Sequence, residues 1–365
     1  MLTHSYSPGD VTVLLHPVKP VFLSVEEKES AIQSGVHYSE LLSREKAPDA
    51  AYLALFDKQV ADFGAGVAHQ LLDMAGMIAV SRKNPVLVSL VRGGTPVGVV
   101  LKRILNQFGY DAPHFAVSIV RDRGLDAVAI EHILALGHAP EDLVFVDGWT
   151  GKGVIRRELS ASIQRLQTQY PGMKDEMFVL SDIAGVADYA ATRRDSLVPT
   201  SLLNAPISGL ISRSVYRQEN GQPLMHGGVF LEELTECDRS LAFVETMMDL
   251  VGQLLAKGPV DIEALGTSAL ERVRHAGIVA EEMHQLLRTI GHLEGVTDRN
   301  KIKPGIGEAS RVLLRRMPEC LILRDLNEPS VAHLVMLAKT RGVRVRHLPD
   351  MKIQAVAIIK ELNNE

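Results

Sequence analysis

The sequence predicts an α/β protein: a parallel-sheet domain, a mainly helical segment, and a small C-terminal α/β domain. Three observations predict it. Short apolar runs rich in β-branched residues alternate with stripes of helical spacing. Two of those runs end in Gly-rich turns that open a helix. After a polar, basic connector at 297–305 the alternation starts again. The boundaries expected are 1–235, 236–296 and 297–365.

Val11 to Leu15 reads as a first strand. From Ala51 to about Val80, Leu53, Phe56, Val60, Phe63, Val67, Leu71 and Met74 recur every three or four residues, a helical stripe that Gly64, Gly66 and Gly76 weaken. Pro85 to Val91 is a buried strand and Arg92-Gly93-Gly94 a loop. Thr95 is expected to cap the next helix, with Pro96 in its first position. His114 to Val120 is a strand, Ala127 to Leu136 a helix, and Leu143 to Val146 a strand followed by a loop from Asp147 to Gly153. Ile155, Leu159, Ile163 and Leu166 mark another helix, and Met177 to Leu180 a strand ending at Ser181-Asp182. Such alternation implies parallel strands with right-handed crossovers. Residues 196–235 are rich in Pro and Gly and read as loops; 238–293 read as helices. In the last segment, Ala309 to Arg316 and Val331 to Thr340 read as helices, Cys320 to Leu323 and Val343 to Leu348 as strands.

Composition narrows the function. Hydrophobic residues make up 46% and charged residues 23%, as in an ordinary globular protein. The formal net charge of -5 excludes polyanion binding by overall charge, so any nucleic-acid role needs a local basic patch. Two distant cysteines, Cys237 and Cys320, form neither a disulfide framework nor a zinc site and suggest a reducing, cytoplasmic setting. The N-terminus lacks a signal-peptide pattern, and no apolar run reads as a membrane span.

The chemistry concentrates in two turns. In Val146-Asp147-Gly148-Trp149-Thr150-Gly151-Lys152-Gly153 a buried strand delivers an acid at its C-terminal end, and a Thr-Gly turn opens a helix whose free N–H groups suit a phosphate. A P-loop is excluded: only Trp149 and Thr150 separate Gly148 from Gly151, and Gly153 follows Lys152 where Ser or Thr is required. The second turn, Val91-Arg92-Gly93-Gly94-Thr95, adds an arginine at the same sheet edge. Between them lies the charged stretch Arg121-Asp122-Arg123.

This pair of turns resembles the type I phosphoribosyltransferases over roughly residues 50–215. The resemblance implies a site for phosphoribosyl pyrophosphate (PRPP), with Arg92, Gly93 and Gly94 on its pyrophosphate, Asp147 on its ribose, and Thr150, Gly151, Lys152 and Gly153 on its 5′-phosphate. Arg92 and Asp147 would then be catalytic, Arg121 and Arg123 would belong to a hood over the pyrophosphate, Asp182 would be a magnesium-linked acid and Mg2+ the cofactor. The usual pair of adjacent acids is missing, because Gly148 follows Asp147. Near the C-terminus, Lys303-Pro304-Gly305-Ile306-Gly307-Glu308-Ala309-Ser310-Arg311 resembles the helix start of pelota-type RNA-binding domains. That implies contacts to structured RNA from Gly305, Glu308, Arg311 and Arg315. Together the two parts resemble a family of bacterial tellurite-resistance and stress operons, also labelled StiP and carrying a cysteine-protease label.

The expected function is therefore a glycosyltransferase that joins PRPP to an unidentified acceptor, forming a nucleoside- or nucleotide-like product, with an RNA-binding tail. A homo-oligomer and other enzymes of the same operon are the expected partners. Two alternatives stand beside it. One is a cysteine hydrolase with Cys237 as nucleophile and His226 as base. The other is a non-catalytic RNA-binding regulator that senses PRPP.

Overall fold

The structure, a computed structural model, describes residues 1–19, 22–274 and 280–360. Residues 275–279 and 361–365, the last five of the expected third segment, lie outside the described residues. After β1 (Thr12–Leu14), a short helix at Val25–Gln33 and a small two-stranded sheet (Phe22–Leu23 with Leu42–Ser43) comes the long helix α1 (Ala50–Ser81), capped by Asp49, whose carboxylate accepts from Tyr52 N at 2.7 Å. Then β2 (Val86–Val91), α2 (Thr95–Gln107), β3 (His114–Val120), α3 (Ala127–Ala135), β4 (Leu143–Thr150), α4 (Val154–Leu166), β5 (Met177–Asp182) and β6 (Tyr189–Thr192) alternate. These strands form one sheet in the order β1-β3-β2-β4-β5-β6, all parallel. Central β2 shows why the apolar run is continuous: Leu87 faces one hydrophobic cluster, and Val86, Val88 and Leu90 face the other.

Helices α5 (Ser240–Leu255) and α6 (Ile262–Arg274) pack with α1 and α2 on one face, while α3 and α4 cover the other. The next helix, α7 (Ala280–Glu294), goes elsewhere. Its Met283, Leu287 and Ile290 pack with Cys320, Ile322 and Ile358 in the C-terminal part. So the helices of 236–296 do not form one packed unit. The C-terminal part contains β7 (Ile302–Pro304), α8 (Ile306–Arg315), β8 (Pro318–Leu323), α9 (Ala332–Thr340), β9 (Arg344–His347) and β10 (Ala355–Ile359). Its sheet order is β7-β10-β8-β9, antiparallel except for the β8–β9 pair.

Several expectations need correction. Helix α1 is unbroken through its glycines, because Gly76 lies against Gly266 of α6, where a side chain would collide with backbone. By length and composition α1 also passes as a membrane span, contrary to the sequence reading; 67% of that apolar window is buried within the protein, which accounts for its apolarity. Strand β4 runs on to Thr150, so Asp147 lies in a strand rather than a loop: the neighbouring β5 extends the ladder, pairing Trp149 with Ser181. The cap of α2 is Gly94, not Thr95, whose buried hydroxyl finds no partner. The loop-rich stretch holds a hairpin, Val215–Glu219 with Gln222–Gly228, turning at Asn220-Gly221, both with positive φ. Strands β7 and β10 were not expected.

Candidate functional site

The C-terminal ends of β2 and β4 bring the two predicted turns side by side. Gly94 permits this, since a Cβ there would overlap the Val146 carbonyl oxygen. A Cβ on Gly93 would stand 3.0 Å from both Asp147 Oδ1 and Arg311 Nη2. Arg92 is buried. Its Nη2 meets Glu45 Oε1 at 2.5 Å, and Nη1 donates to the Ile211 carbonyl at 3.0 Å. Burial alone would push Glu45 up, but the Arg92 and Arg315 guanidiniums outweigh it and hold the carboxyl below its ordinary range. Asp147 is buried too and accepts from Gly148 N at 2.8 Å. Burial pushes its carboxyl up to about 6, only partly opposed by Arg311.

The Thr-Gly turn is filled from within the chain. Thr150 Oγ1 donates to Asp182 Oδ1 at 2.5 Å, and Lys152 Nζ donates to the Arg299 carbonyl at 2.5 Å. A Cβ on Gly151 would lie 2.6 Å from Glu308 Cγ. Gly153 caps α4 with φ 73°, a conformation that favours glycine. Burial, then the Lys303 charge, pulls Lys152 down to about 8. Asp182 Oδ2 accepts from Ala187 N, so both of its oxygens are engaged. Among the described residues no three His, Cys, Asp or Glu side chains group to hold a metal, and the donor set expected around Asp182 does not fit magnesium.

What fills the turn is the C-terminal part. Gly305 and Gly307, at the start of α8, let it press against the sheet edge: a Cβ on Gly305 would lie 2.5 Å from Ile183, and one on Gly307 would lie 2.5 Å from the Trp149 indole. The Arg311 guanidinium stacks 4.5 Å from the Trp149 ring and pairs with Glu308 at 3.0 Å. Arg315 Nε donates to Asn204 Oδ1. Asp195, from the first domain, accepts from Ile306 N at 2.9 Å, Gln354 N at 2.8 Å and Ala355 N at 3.4 Å. All four residues expected to meet RNA, Gly305, Glu308, Arg311 and Arg315, therefore lie at a seam with the first domain.

The remaining candidates are dispersed. Arg121 pairs with Asp122 at 3.2 Å, and Arg123 lies over Tyr216 at 4.7 Å. Cys237 sits in an apolar cluster with Ala205, Leu210, Leu231 and Leu234, and its thiol donates to the Leu234 carbonyl at 3.1 Å. Burial, then the Asp238 and Glu236 carboxylates, push it up. His226 is engaged elsewhere. Its Nδ1 meets Ser118 Oγ at 2.6 Å, its backbone N–H donates to Asp126 Oδ2, and burial pulls the ring down to about 4. Among the described residues no imidazole hydrogen-bonds to Cys237. Cys320 is buried in β8. Sequence reasoning missed Glu45, Asp195 and Asn204. Each lies in an irregular stretch with no motif, and only the fold brings them to the seam.

A parallel-sheet domain docked to a small α/β domain through such a seam defines a two-module protein. Residues 4–248 match the family described as tellurite-like stress resistance cysteine protease StiP, and residues 281–361 match the PELOTA RNA binding domain. The chain belongs to the StiP family. A protein of Acinetobacter baylyi named "Cysteine protease StiP" is 36% identical over 351 residues, which cover 92% of this chain and 88% of that protein. A solved aminotransferase from Anaerococcus prevotii aligns over 82% of this chain and 74% of its own, with a TM-score of 0.23 and 11% identity, too distant to speak for a shared fold.

These findings overturn the phosphoribosyltransferase expectation, since the family and the relative carry a cysteine-protease description instead. The geometry is consistent with the correction. The donors assigned to a ribose 5′-phosphate serve Asp182, Arg299 and the packing of Glu308.

Proposed function

We propose that this chain is a stress-resistance hydrolase of the thiol type joined to an RNA-binding domain, with Cys237 as its nucleophile. One observation supports the choice of residue: the segment that matches the cysteine-protease family, 4–248, contains Cys237 and no other cysteine. The attacking species in such chemistry is the thiolate, held beside an imidazole. Here the thiol is buried, protonated at neutral pH and bonded to a carbonyl, so the arrangement is a resting one. Attack on a peptide carbonyl requires the 3-10 turn Glu232–Cys237 to open and expose the sulfur.

The test is hydrolysis of an unfolded protein substrate by the full chain, with and without structured RNA, alongside Cys237→Ala and Cys237→Ser. Both variants are expected to lose the activity, and iodoacetamide is expected to block the parent slowly at neutral pH and faster as the pH rises. Undiminished hydrolysis by Cys237→Ala removes the thiol from the mechanism. The RNA arm is supported by the match over 281–361. It predicts binding that weakens steeply with salt, because released counterions drive phosphate contacts.

A further inference from the structure

The seam holds more positive charge than the fold explains. Arg92 comes from the end of β2, Arg213 from the loop before the hairpin, and Arg315 from α8 of the C-terminal domain. Hydrogen bonds bring them together: Arg92 donates to the Ile211 carbonyl, two residues before Arg213, and its partner Glu45 accepts from Ala205 N at 3.0 Å, beside the Asn204 that holds Arg315; Glu45 is the carboxylate nearest to all three. Glu45 pairs with Arg92. Arg213 forms no ion pair among the described residues and lies over the Tyr38 ring at 4.6 Å. Arg315 donates to a neutral amide oxygen, that of Asn204. Burial, and then the neighbouring arginines, disfavour the charge of Arg315; burial pulls Arg213 down to about 10. The Nε atoms of Arg92 and of the adjacent Arg311 are buried without a hydrogen-bond partner.

Guanidiniums do not give up their protons under physiological conditions, and unpaired charge in a secluded place is costly. Three arginines against one carboxylate leave a surplus of two positive charges. A phosphate monoester carries close to two negative charges at neutral pH and offers three acceptor oxygens. Arginine is well shaped to meet them. Arg213 and Arg315 keep partial solvent exposure, which gives a small ion a route in.

We infer that Arg92, Arg213 and Arg315 form a binding site for a phosphate monoester group, built jointly by the two domains and separate from Cys237. The site is incomplete without α8, so its ligand ties the domains together. The phosphate has two possible sources, a small phosphorylated molecule or the 5′ end of an RNA carried by the attached domain.

The experiment uses the full chain and inorganic phosphate as the probe, with sodium chloride at matched ionic strength as the control. Phosphate is expected to bind saturably by calorimetry and to raise Tm beyond the effect of chloride. Arg213→Gln and Arg315→Gln are each expected to weaken phosphate binding at least about tenfold, the loss of a charge-assisted hydrogen bond. Arg288→Gln, in an exposed ion pair with Glu281, is expected to leave it unchanged. Arg213→Gln removes a charge the fold disfavours, so its ligand-free Tm should match or exceed that of the parent, which confirms that it folds. A 5′-phosphorylated RNA that displaces phosphate where its 5′-hydroxyl twin does not assigns the group to RNA. Failure of both assigns it to a small molecule. Absence of saturable phosphate binding, an effect that chloride reproduces, or full binding by both glutamine variants overturns the site.

Discussion

Asp147 shows how a single residue changes meaning between sequence and structure. Read in order, it is an acid at the end of a strand, placed for a ligand hydroxyl. In the fold it continues β4, is buried under Gly93, and bonds to its neighbour's N–H. Its burial has a consequence for stability. An ordinary aspartate in the unfolded chain titrates near pH 4. The folded group titrates at about 6. Between these values the folded state keeps a proton that the unfolded state has lost. Its contribution to stability therefore falls as the pH rises from about 4 to about 6 and stays low above that. Asp147→Asn keeps an acceptor for Gly148 and removes the penalty. The expected outcome is a gain at pH 7 of up to about 3 kcal/mol, vanishing below about pH 4. Denaturant melts of both proteins across that range check it.

Among the elements, the strands and helices of the sheet domain were legible because each buried strand is a run of Val, Leu and Phe and each helix a three- and four-spaced stripe. What could not be read is contact between distant segments. Gly76 and Gly266 look like weak points in two helices; in the fold they are where α1 and α6 touch backbone to backbone. Gly305 reads as part of an RNA-binding helix start, yet it and Gly307 fit against Ile183 and Trp149. Asn220-Gly221 was a readable hairpin signal inside a stretch taken for loop. The helix crossing gives a sharp expectation. Alanine in place of glycine gains about 1 kcal/mol of helix propensity. At Gly266 that gain is outweighed, because the new Cβ would overlap the Gly76 carbonyl group, which has no side chain to move. Overpacking of this kind costs about 1–3 kcal/mol. Gly266→Ala is thus expected to lower stability, whereas Gly252→Ala, with open space around it, is expected to raise it. Urea unfolding of the two variants compares them directly.

For the whole molecule, the seam decides how the modules report on each other. The chain has one tryptophan, Trp149, and it lies at that seam under Arg311 and against Gly307. Its fluorescence is a built-in gauge of docking. Gly307→Val pushes a branched side chain at the indole, which packs against the hydrophobic cluster that the two domains share. The emission maximum is expected to move to longer wavelength with far-ultraviolet circular dichroism unchanged. An unmoved maximum would mean that the seam adjusts around the new side chain.

The long return of the chain through α5 and α6 has its own consequence for synthesis. The sheet domain needs residues up to Arg274 to cover α1, and the strands that carry α8 follow only afterwards. Domains form in the order in which they leave the ribosome. The edge bearing Asp147 and Trp149 is therefore complete and not yet covered by α8 while the last ninety or so residues are still being made. Each newly made molecule passes through an interval, several seconds long at ordinary elongation rates of about 5–20 residues per second, in which that edge meets the cell's small solutes before its own tail arrives.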